Sequence, residues 1–225
     1  MKLDKLIPKY ARIPLLMALC FNMFTYFGTK VLVSPDRYHD LSAMFSDPFP
    51  LIPAFVFIYI LAFVQWGLGF IIIARDSRER CYRVLSAEMI SKAICLCIFL
   101  IYPTTLTRVP LPKGGFAAFA LSVVYWIDTP ATNLFPSLHC AESWFCFRGA
   151  IGIKQFGKWG RWYVAGQLVF TLLVFVTVLL VKQHVWPDIL AGFAVAELGM
   201  LISRLTHADR LLARTEKLRK GSSHE

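Results

Sequence analysis

The strongest constraint on this chain is a series of long apolar stretches separated by short polar loops. A helix needs about 20 predominantly apolar residues to cross a hydrocarbon core roughly 30 Å thick. Backbone groups in lipid must be satisfied within the protein, so these stretches are expected to be helices. Hydrophobic residues make up 57% of the chain and charged residues only 17%, too little charge for a soluble domain of 225 residues. The sequence therefore predicts an all-α integral membrane protein.

Six stretches are predicted to span the membrane together as one helical bundle. They cover residues 13–29, 51–74, 84–104, 137–153, 163–181 and 187–205. A further apolar run, residues 116–127, is too short to cross and is expected at the membrane interface or over the helix ends. No internal repeat or low-complexity linker is evident, so residues 1–225 are predicted to be a single domain, with its motif-bearing core at about 84–205 and a basic tail at 206–225.

The distribution of Lys and Arg predicts the orientation of the bundle. Of the 24 cations, 17 fall in the N-terminal segment, the loops 75–83 and 154–161, and the C-terminal tail, whereas five fall on the opposite side. The positive-inside rule then makes both termini cytoplasmic. The net charge of +10 is interpreted as attraction to anionic lipid, worth about 1 kcal/mol per basic residue near the surface. The bilayer, and not nucleic acid, is the partner expected from this charge.

The first fragment with chemical content is Pro136-Ser137-Leu138-His139, at the start of the predicted fourth span. Free backbone N–H groups and the positive helix end favour a phosphate there. Ser137 equally suits a plain capping role, which is common for Ser at a helix start. His139 has little packing value at a membrane-helix entrance, and an ionisable group in that place indicates function.

The second fragment is KQHVWPD, residues 182–188, where the fifth span gives way to the sixth. Its histidine and aspartate are four residues apart, so the carboxylate of Asp188 can reach the imidazole of His184. A carboxylate bonded to one ring nitrogen selects the tautomer that leaves the other nitrogen free to attack. The alternative is an interfacial histidine with Asp188 as a helix cap. A second histidine, His139, at the same predicted depth favours a phosphoryl-transfer site on the outer face.

The two fragments resemble the type 2 phosphatidic acid phosphatase superfamily, particularly its branch near the inositol phosphorylceramide and sphingomyelin synthases. The second family motif is built on Pro-Ser-x-His and the third on His-x-x-x-Asp, and both are present, with His184 following His139 by 45 residues. The resemblance covers roughly residues 92–192. The first motif departs from the usual Lys, six residues, Arg-Pro pattern, because Arg108 is followed by Val109. The third motif has Val178 where an Arg is usual, six residues before its histidine.

The resemblance implies a phosphoryl transfer that needs no metal and no cofactor. His184, oriented by Asp188, would attack phosphorus and form a phosphohistidine, while His139 would act first as acid and then as base. The residues expected to bind the substrate phosphate are Arg108, Lys182 and Ser137. Arg suits this role because its planar fork meets two oxygens at once, and Lys182 would supply the charge of the missing arginine.

Three further polar residues are candidates for the substrate cleft. Asp128 is expected to orient Arg108 or an acceptor headgroup, and Glu142 lies one turn beyond His139 on the same predicted helix. Lys92 forms an i,i+4 pair with Glu88, so the two side chains are expected to neutralise each other in the third span. Alternatively, Lys92 reaches upward as a remnant of the first motif.

The function predicted from the sequence is hydrolysis of a lipid phosphate monoester or diphosphate by a membrane-embedded enzyme. The first alternative is a lipid phosphotransferase that moves a phospho-headgroup to an alcohol. A b-type haem protein with His139 and His184 as axial ligands is a remote alternative. A lipid-binding or scaffold protein that has kept the fold without turnover is another. The site is predicted on the extracytoplasmic side, and the sequence leaves the oligomeric state and the lipid open.

Overall fold

The computed structural model describes residues 3–214, and most of these residues lie in helices. The α-helices are α1 (Leu3–Leu6), α2 (Lys9–Met23), α3 (Thr29–Leu32), α4 (Leu41–Met44), α5 (Val56–Asp76), α6 (Arg78–Ile101), α7 (Phe116–Ile127), α8 (Leu138–Ala150), α9 (Gly160–Leu180) and α10 (Trp186–Thr206). A π-helix joins α2 to α3, and short 3₁₀ helices precede α5 and α9. Two strands of two residues each, β1 (His39–Asp40) and β2 (Thr104–Thr105), pair in parallel.

Five continuous helical segments are long and apolar enough to cross a membrane. They are Lys9–Leu32, Pro53–Asp76, Arg78–Ile101, Gly157–Leu180 and Trp186–Thr206. These segments overlap five of the six predicted spans, and the prediction of an all-α integral membrane protein is confirmed. Each boundary differs from the sequence estimate by one to six residues.

The predicted fourth span is shorter than the sequence indicated. The helix there, α8, has only 13 residues and is mostly buried among its neighbours. At 1.5 Å per residue it is about 20 Å long, less than the thickness of a hydrocarbon core. The count of six spans therefore stays a prediction. The predicted basic tail covers residues 206–225, and its part beyond residue 214 lies outside the described residues.

The contact between α6 and α10 depends on small residues. A Cβ added at Gly199 would lie 2.1 Å from Ser91 Oγ and 2.5 Å from the carbonyl oxygen of Ala87. The Ser91 hydroxyl in turn donates to the carbonyl oxygen of Val195 at 2.8 Å. Inside lipid, helices usually associate by close backbone approach through small residues. Moving an apolar side chain from lipid into a helix contact brings no hydrophobic free energy, because lipid tails are equally apolar.

One end of the bundle gathers its basic loops. Arg80 donates to three carbonyl groups in residues 149–152, just where α8 ends. Asp76 pairs with Arg80 and accepts the backbone N–H groups of Lys154 and Gln155. The loops that the charge pattern assigned to one side of the membrane are thus in direct contact. The site residues described below lie at the other end.

The apolar run at residues 116–127 forms helix α7, as a short element and not a span. Leu121 is fully buried and packs against the start of α5 and the end of α9. Phe116, Phe119 and Trp126 are mostly exposed on the other side of the same helix. A helix with one packed side and one exposed apolar side is suited to lie between the bundle and lipid.

We predict that Gly199→Ala lowers the thermal stability of the purified protein. The new methyl group overlaps Ser91 and Ala87, and such overpacking costs about 1–3 kcal/mol. The matched control is Gly166→Ala in α9, where an added Cβ has no neighbour within 4 Å. Detergent-solubilised protein is melted with a thiol-independent fluorescence readout. Equal melting temperatures for the two variants would contradict the packing described for α6 and α10.

Candidate active site

The Pro-Ser-x-His segment begins α8, and Ser137 acts as its N-cap. The Ser137 side chain accepts the backbone N–H of Cys140 at 3.3 Å, and the residue is fully buried. The structure therefore shows Ser137 in the capping role. Its hydroxyl does not line the cavity described below. His139, two residues further along, lies on the side of α8 that faces α5.

The His-x-x-x-Asp segment lies in the tight turn between α9 and α10. The backbone N–H groups of Gln183 and His184 both donate to the carbonyl oxygen of Val178. Lys182 adopts a left-handed backbone conformation with φ of 54°, which lets the chain reverse there. His184 Nδ1 lies 3.0 Å from Asp188 Oδ2. Asp188 is fully buried near the start of α10, so its carboxylate faces the imidazole and not solvent.

The two segments are joined by their backbones. The N–H of Ser137 donates to the carbonyl oxygen of Asp188 at 3.0 Å. One turn further along α10, a Cβ at Gly192 would lie only 2.4 Å from the Ser137 carbonyl oxygen. Only glycine allows the start of α8 to approach α10 this closely. The contact sets the separation of the two histidines.

His139 and His184 come together, with ring centroids 5.7 Å apart and an interplanar angle of 65°. Their rings line the same cavity. Reacting atoms approach to about 3–3.5 Å before transfer, so one phosphoryl group placed between the rings can contact both. Asp188 Oδ2 also accepts the backbone N–H of Val185 at 3.2 Å, which holds the carboxylate in place for His184.

Arg108 links the loop before α7 to this turn. Its guanidinium donates to the Lys182 carbonyl oxygen at 3.0 Å and to Gln183 Oε1 at 3.1 Å. It also pairs with Asp128 at 2.5 Å and stacks over the Tyr125 ring at 4.3 Å. Arg108 therefore lies beside the residues that precede His184. The contact in which Asp128 was expected to orient Arg108 is present in the structure.

Asp128 is the centre of a larger polar network at this end of the bundle. Besides Arg108, it binds Lys30 Nζ at 3.2 Å and accepts a hydrogen bond from the Tyr26 hydroxyl. The side chain lines the cavity but already accepts hydrogen bonds from three donors.

Tyr125, whose ring lies under the Arg108 guanidinium, is also fixed at this end of the bundle. Burial raises the pKa of the Tyr125 phenol, which stays a neutral donor to the carbonyl oxygen of Val181 at 2.8 Å.

The ammonium group of Lys182 is not directed to the histidines. It pairs with Asp47 at 2.6 Å and also donates to the carbonyl oxygen of Phe49. Its side chain does not line the cavity that contains His139 and His184. The structure does not place the Lys182 ammonium where it could replace the missing arginine at the phosphate. The left-handed turn at Lys182 directs the side chain towards the 47–49 loop.

Lys92 is fully buried and pairs with a different partner from the one expected. Its ammonium lies 2.5 Å from Glu142 Oε1 and 3.9 Å from Glu88 Oε1. The shorter contact crosses from α6 to α8, whereas the predicted i,i+4 pair is the longer one. Glu142 itself lines the cavity. Lys92 therefore reaches the site only through Glu142.

A cavity of about 550 Å³ adjoins the histidines. Its walls are mainly aromatic and aliphatic side chains from the α2–π-helix segment, α5 and α7, and its polar members come from the two motif regions. Phe27, Phe63 and Phe119 line it and are each more than half exposed. The cavity is therefore open to the surface that lipid covers, and it has the dimensions of a small-molecule site.

Several residues that shape the site carry no signal in the sequence alone. Thr104 Oγ1 accepts the N–H groups of Leu134 and Phe135, so the segment before Pro136-Ser137 is held against the end of α6. Asn133 has φ of 60° and donates to Thr29 Oγ1 at 2.7 Å. Asn adopts this left-handed conformation more readily than most residues, but its presence close to two prolines does not by itself predict the conformation.

Within residues 3–214, no group of three or more His, Cys, Asp or Glu side chains is arranged to hold a metal ion. The absence of a metal requirement stays a prediction, because oxygen atoms of a bound substrate can also be ligands of a metal ion.

The chain matches the PAP2 superfamily over residues 37–202, which is most of its length. The protein therefore belongs to the PAP2 superfamily, and the match supports a lipid enzyme of the phosphatase or phosphotransferase type. The matched region includes both histidines and Asp188, and it favours this class over a haem protein. No curated protein and no solved structure matches the chain. The nearness to the inositol phosphorylceramide and sphingomyelin synthase branch stays a prediction.

We predict that Lys92→Met lowers the melting temperature markedly, because it leaves two buried carboxylates without their cation. Removing one partner of a buried pair costs about 3–5 kcal/mol. The double variant Lys92→Met/Glu142→Gln should recover part of this loss, since one buried charge is then removed. Lys158→Met, at an exposed position, is the control. A double variant that melts at or below Lys92→Met would contradict the direct pairing of Lys92 with Glu142.

Proposed function

We propose that this protein hydrolyses a lipid phosphate monoester or diphosphate through a phosphohistidine on His184. The observation that carries the proposal is the His184–Asp188 pair facing His139 on the wall of an apolar cavity. A nucleophile needs a group that sets its protonation, and a leaving group needs a proton donor. The three side chains supply both.

In the first step, Asp188 holds the proton on His184 Nδ1, so that Nε2 presents its lone pair to phosphorus. A nitrogen–phosphorus bond forms as the bond from phosphorus to the lipid oxygen breaks. His139, protonated, gives its proton to that oxygen, and the lipid leaves as an alcohol. When the substrate is a diphosphate, the leaving group is a lipid monophosphate instead.

In the second step, His139 is neutral and takes a proton from a water molecule. The water oxygen attacks phosphorus, the nitrogen–phosphorus bond breaks, and inorganic phosphate is released. His184 regains its lone pair at Nε2, and His139 is again protonated. An alcohol in place of water would give headgroup transfer with the same residues, which is why transfer is the alternative that the experiment below must separate.

Charge on the transferring phosphoryl group is stabilised by Arg108 and by the N–H groups at the start of α8, beside Ser137. Such stabilisation supplies most of what phosphoryl transfer requires. Arg108 would turn its fork to the phosphate from its position beside Gln183, with Asp128 orienting it. Lys182 would contribute through its carbonyl oxygen, which holds the guanidinium, and not through its ammonium.

A lipid substrate is supported by the cavity walls. Phe27, Phe63 and Phe119 are half-exposed and line the cavity. An apolar tail can therefore occupy the cavity while its phosphate reaches His139 and His184. Covering these apolar walls with a lipid tail is more favourable than leaving them in contact with water.

The site is proposed to face the extracytoplasmic side, with both termini in the cytoplasm. The basic loops meet at the opposite end of the bundle from His184, and the positive-inside rule puts that end in the cytoplasm. The substrate would therefore be drawn from the outer leaflet of the membrane.

We predict that His184→Ala abolishes phosphoenzyme formation and lowers turnover by at least about 10³-fold, because the nucleophile is lost. Purified protein is mixed with ³²P-labelled phosphatidic acid, quenched, and examined for acid-labile, base-stable label. Asp188→Asn should reduce turnover strongly with little change in KM, since the imidazole then loses its favoured tautomer.

The control is His207→Ala, at the exposed end of α10, which should retain normal labelling and turnover. Each variant must elute and melt as the parent does. Near-normal turnover in His184→Ala would end the assignment of His184 as nucleophile.

We predict that phosphate is released in excess EDTA, because the residues proposed for each step need no metal. Purified protein is incubated with phosphatidic acid, isoprenyl diphosphate or phosphatidylinositol, each with and without ceramide or diacylglycerol. Free phosphate without an acceptor supports hydrolysis. A new phospholipid formed without phosphate release would overturn hydrolysis in favour of transfer, and activity lost in EDTA and restored by a divalent cation would overturn metal independence.

A further inference from the structure

Three aromatic residues of α5, Tyr59, Phe63 and Trp66, surround the imidazole of His139. Their ring centroids lie 4.6, 5.7 and 5.2 Å from that of His139, respectively. We refer to Tyr59, Phe63 and Trp66 as the aromatic box. Their spacing of i, i+4 and i+7 puts all three on one side of the helix, the side that faces α8.

The aromatic box is held rigidly. The Trp66 indole N–H donates to Ser143 Oγ at 2.9 Å, which ties it to the same helix that carries His139. Phe63 packs against Trp66 at 4.7 Å and against Tyr59 at 5.9 Å. Tyr59 is almost completely buried. Each ring therefore has a neighbour that restricts it.

One nitrogen of the His139 ring is not held by a hydrogen bond. In the part of the chain that the structure describes, its Nε2 atom is buried without a hydrogen-bond partner. His184, by contrast, is oriented by Asp188. The rings packed against His139 are those of the aromatic box and of His184.

We propose that the aromatic box positions His139 and stabilises its protonated form by cation–π attraction. A cation within about 6 Å of an aromatic centroid is attracted by the negative face of the ring, most strongly by Trp. Burial and the facing charges disfavour the imidazolium, and attraction to three rings at this distance would offset part of that cost. The inference rests on the proposed function, in which His139 must be charged before the leaving oxygen takes its proton.

Other charges also face His139 and must be separated from the effect of the rings. His184 lies opposite, and Lys92 approaches from α6 with its partner Glu142 on α8. The hydroxyl of Tyr59 belongs to the box itself. None of these groups changes when Trp66 is replaced, so Trp66 is the position to test.

The first experiment compares Trp66→Leu with Trp66→Phe in purified protein reconstituted in nanodiscs. Trp66→Leu should lower kcat roughly five- to tenfold, move the alkaline limb of the kcat–pH profile down by roughly 0.5–1 pH unit, and change KM by less than about twofold. Trp66→Phe keeps a π face and should recover most of kcat. Phe57→Leu, an aromatic of the same helix that does not contact His139, should behave as the parent does.

A substitution without change of shape covers the case in which Trp66→Leu fails to fold. Tetrafluorotryptophan at position 66 keeps the indole N–H for Ser143 but weakens the negative face of the ring. It should move the alkaline limb in the same direction as Trp66→Leu. An unchanged limb in both proteins, or a rise in KM without a shift of the limb, would overturn the proposal, the latter by making Trp66 part of the wall that binds the lipid tail.

A substrate-free measurement separates this inference from the proposed function. The protein is labelled with ¹⁵N-histidine, and the His139 resonance is assigned by its loss in His139→Gln. The His139 ring should titrate at lower pH in Trp66→Leu than in the parent. If the parent hydrolyses no lipid phosphate, the proposed function fails while this titration still reports on the box; identical titrations in an active parent and its variant would reject the box alone.

Discussion

The geometry of this site depends on one close backbone contact, between the start of α8 and the first turns of α10. The Ser137 N–H bonds to the Asp188 carbonyl oxygen, and Gly192 leaves room for the Ser137 carbonyl oxygen. Any side chain at Gly192 would separate the helices and with them His139 and His184. The geometry of the proposed catalytic pair is therefore set by the backbones of two helices, which are stiffer than loops.

Two ion pairs, one buried and one part-buried, hold the surrounding elements in register. Lys92 with Glu142 ties α6 to α8, and Arg108 with Asp128 ties the loop before α7 to the end of that helix. Charges inside a membrane protein are costly, so they are paired and tend to lie near function. Both pairs have one carboxylate on the cavity wall. The polar groups that stabilise the bundle thus also shape the space in which the substrate would lie.

The spans and the class of protein were predictable because apolarity over about 20 residues leaves the backbone few alternatives in lipid. The fourth span was overestimated: α8 ends at Ala150, where Arg80 binds the carbonyl groups that follow. Lys182 lies two residues before His184, but the left-handed turn directs its ammonium to Asp47, a contact that spacing along the chain does not indicate.

The sequence by itself determined the membrane class, the two motifs and the pairing of His184 with Asp188, since all of these depend on composition or on spacing within one segment. Tertiary structure alone decided the partner of Lys92, the apolar cavity and the aromatic box around His139. Those features join residues far apart in the chain, and local spacing carries no information about which helix faces are brought into contact by packing.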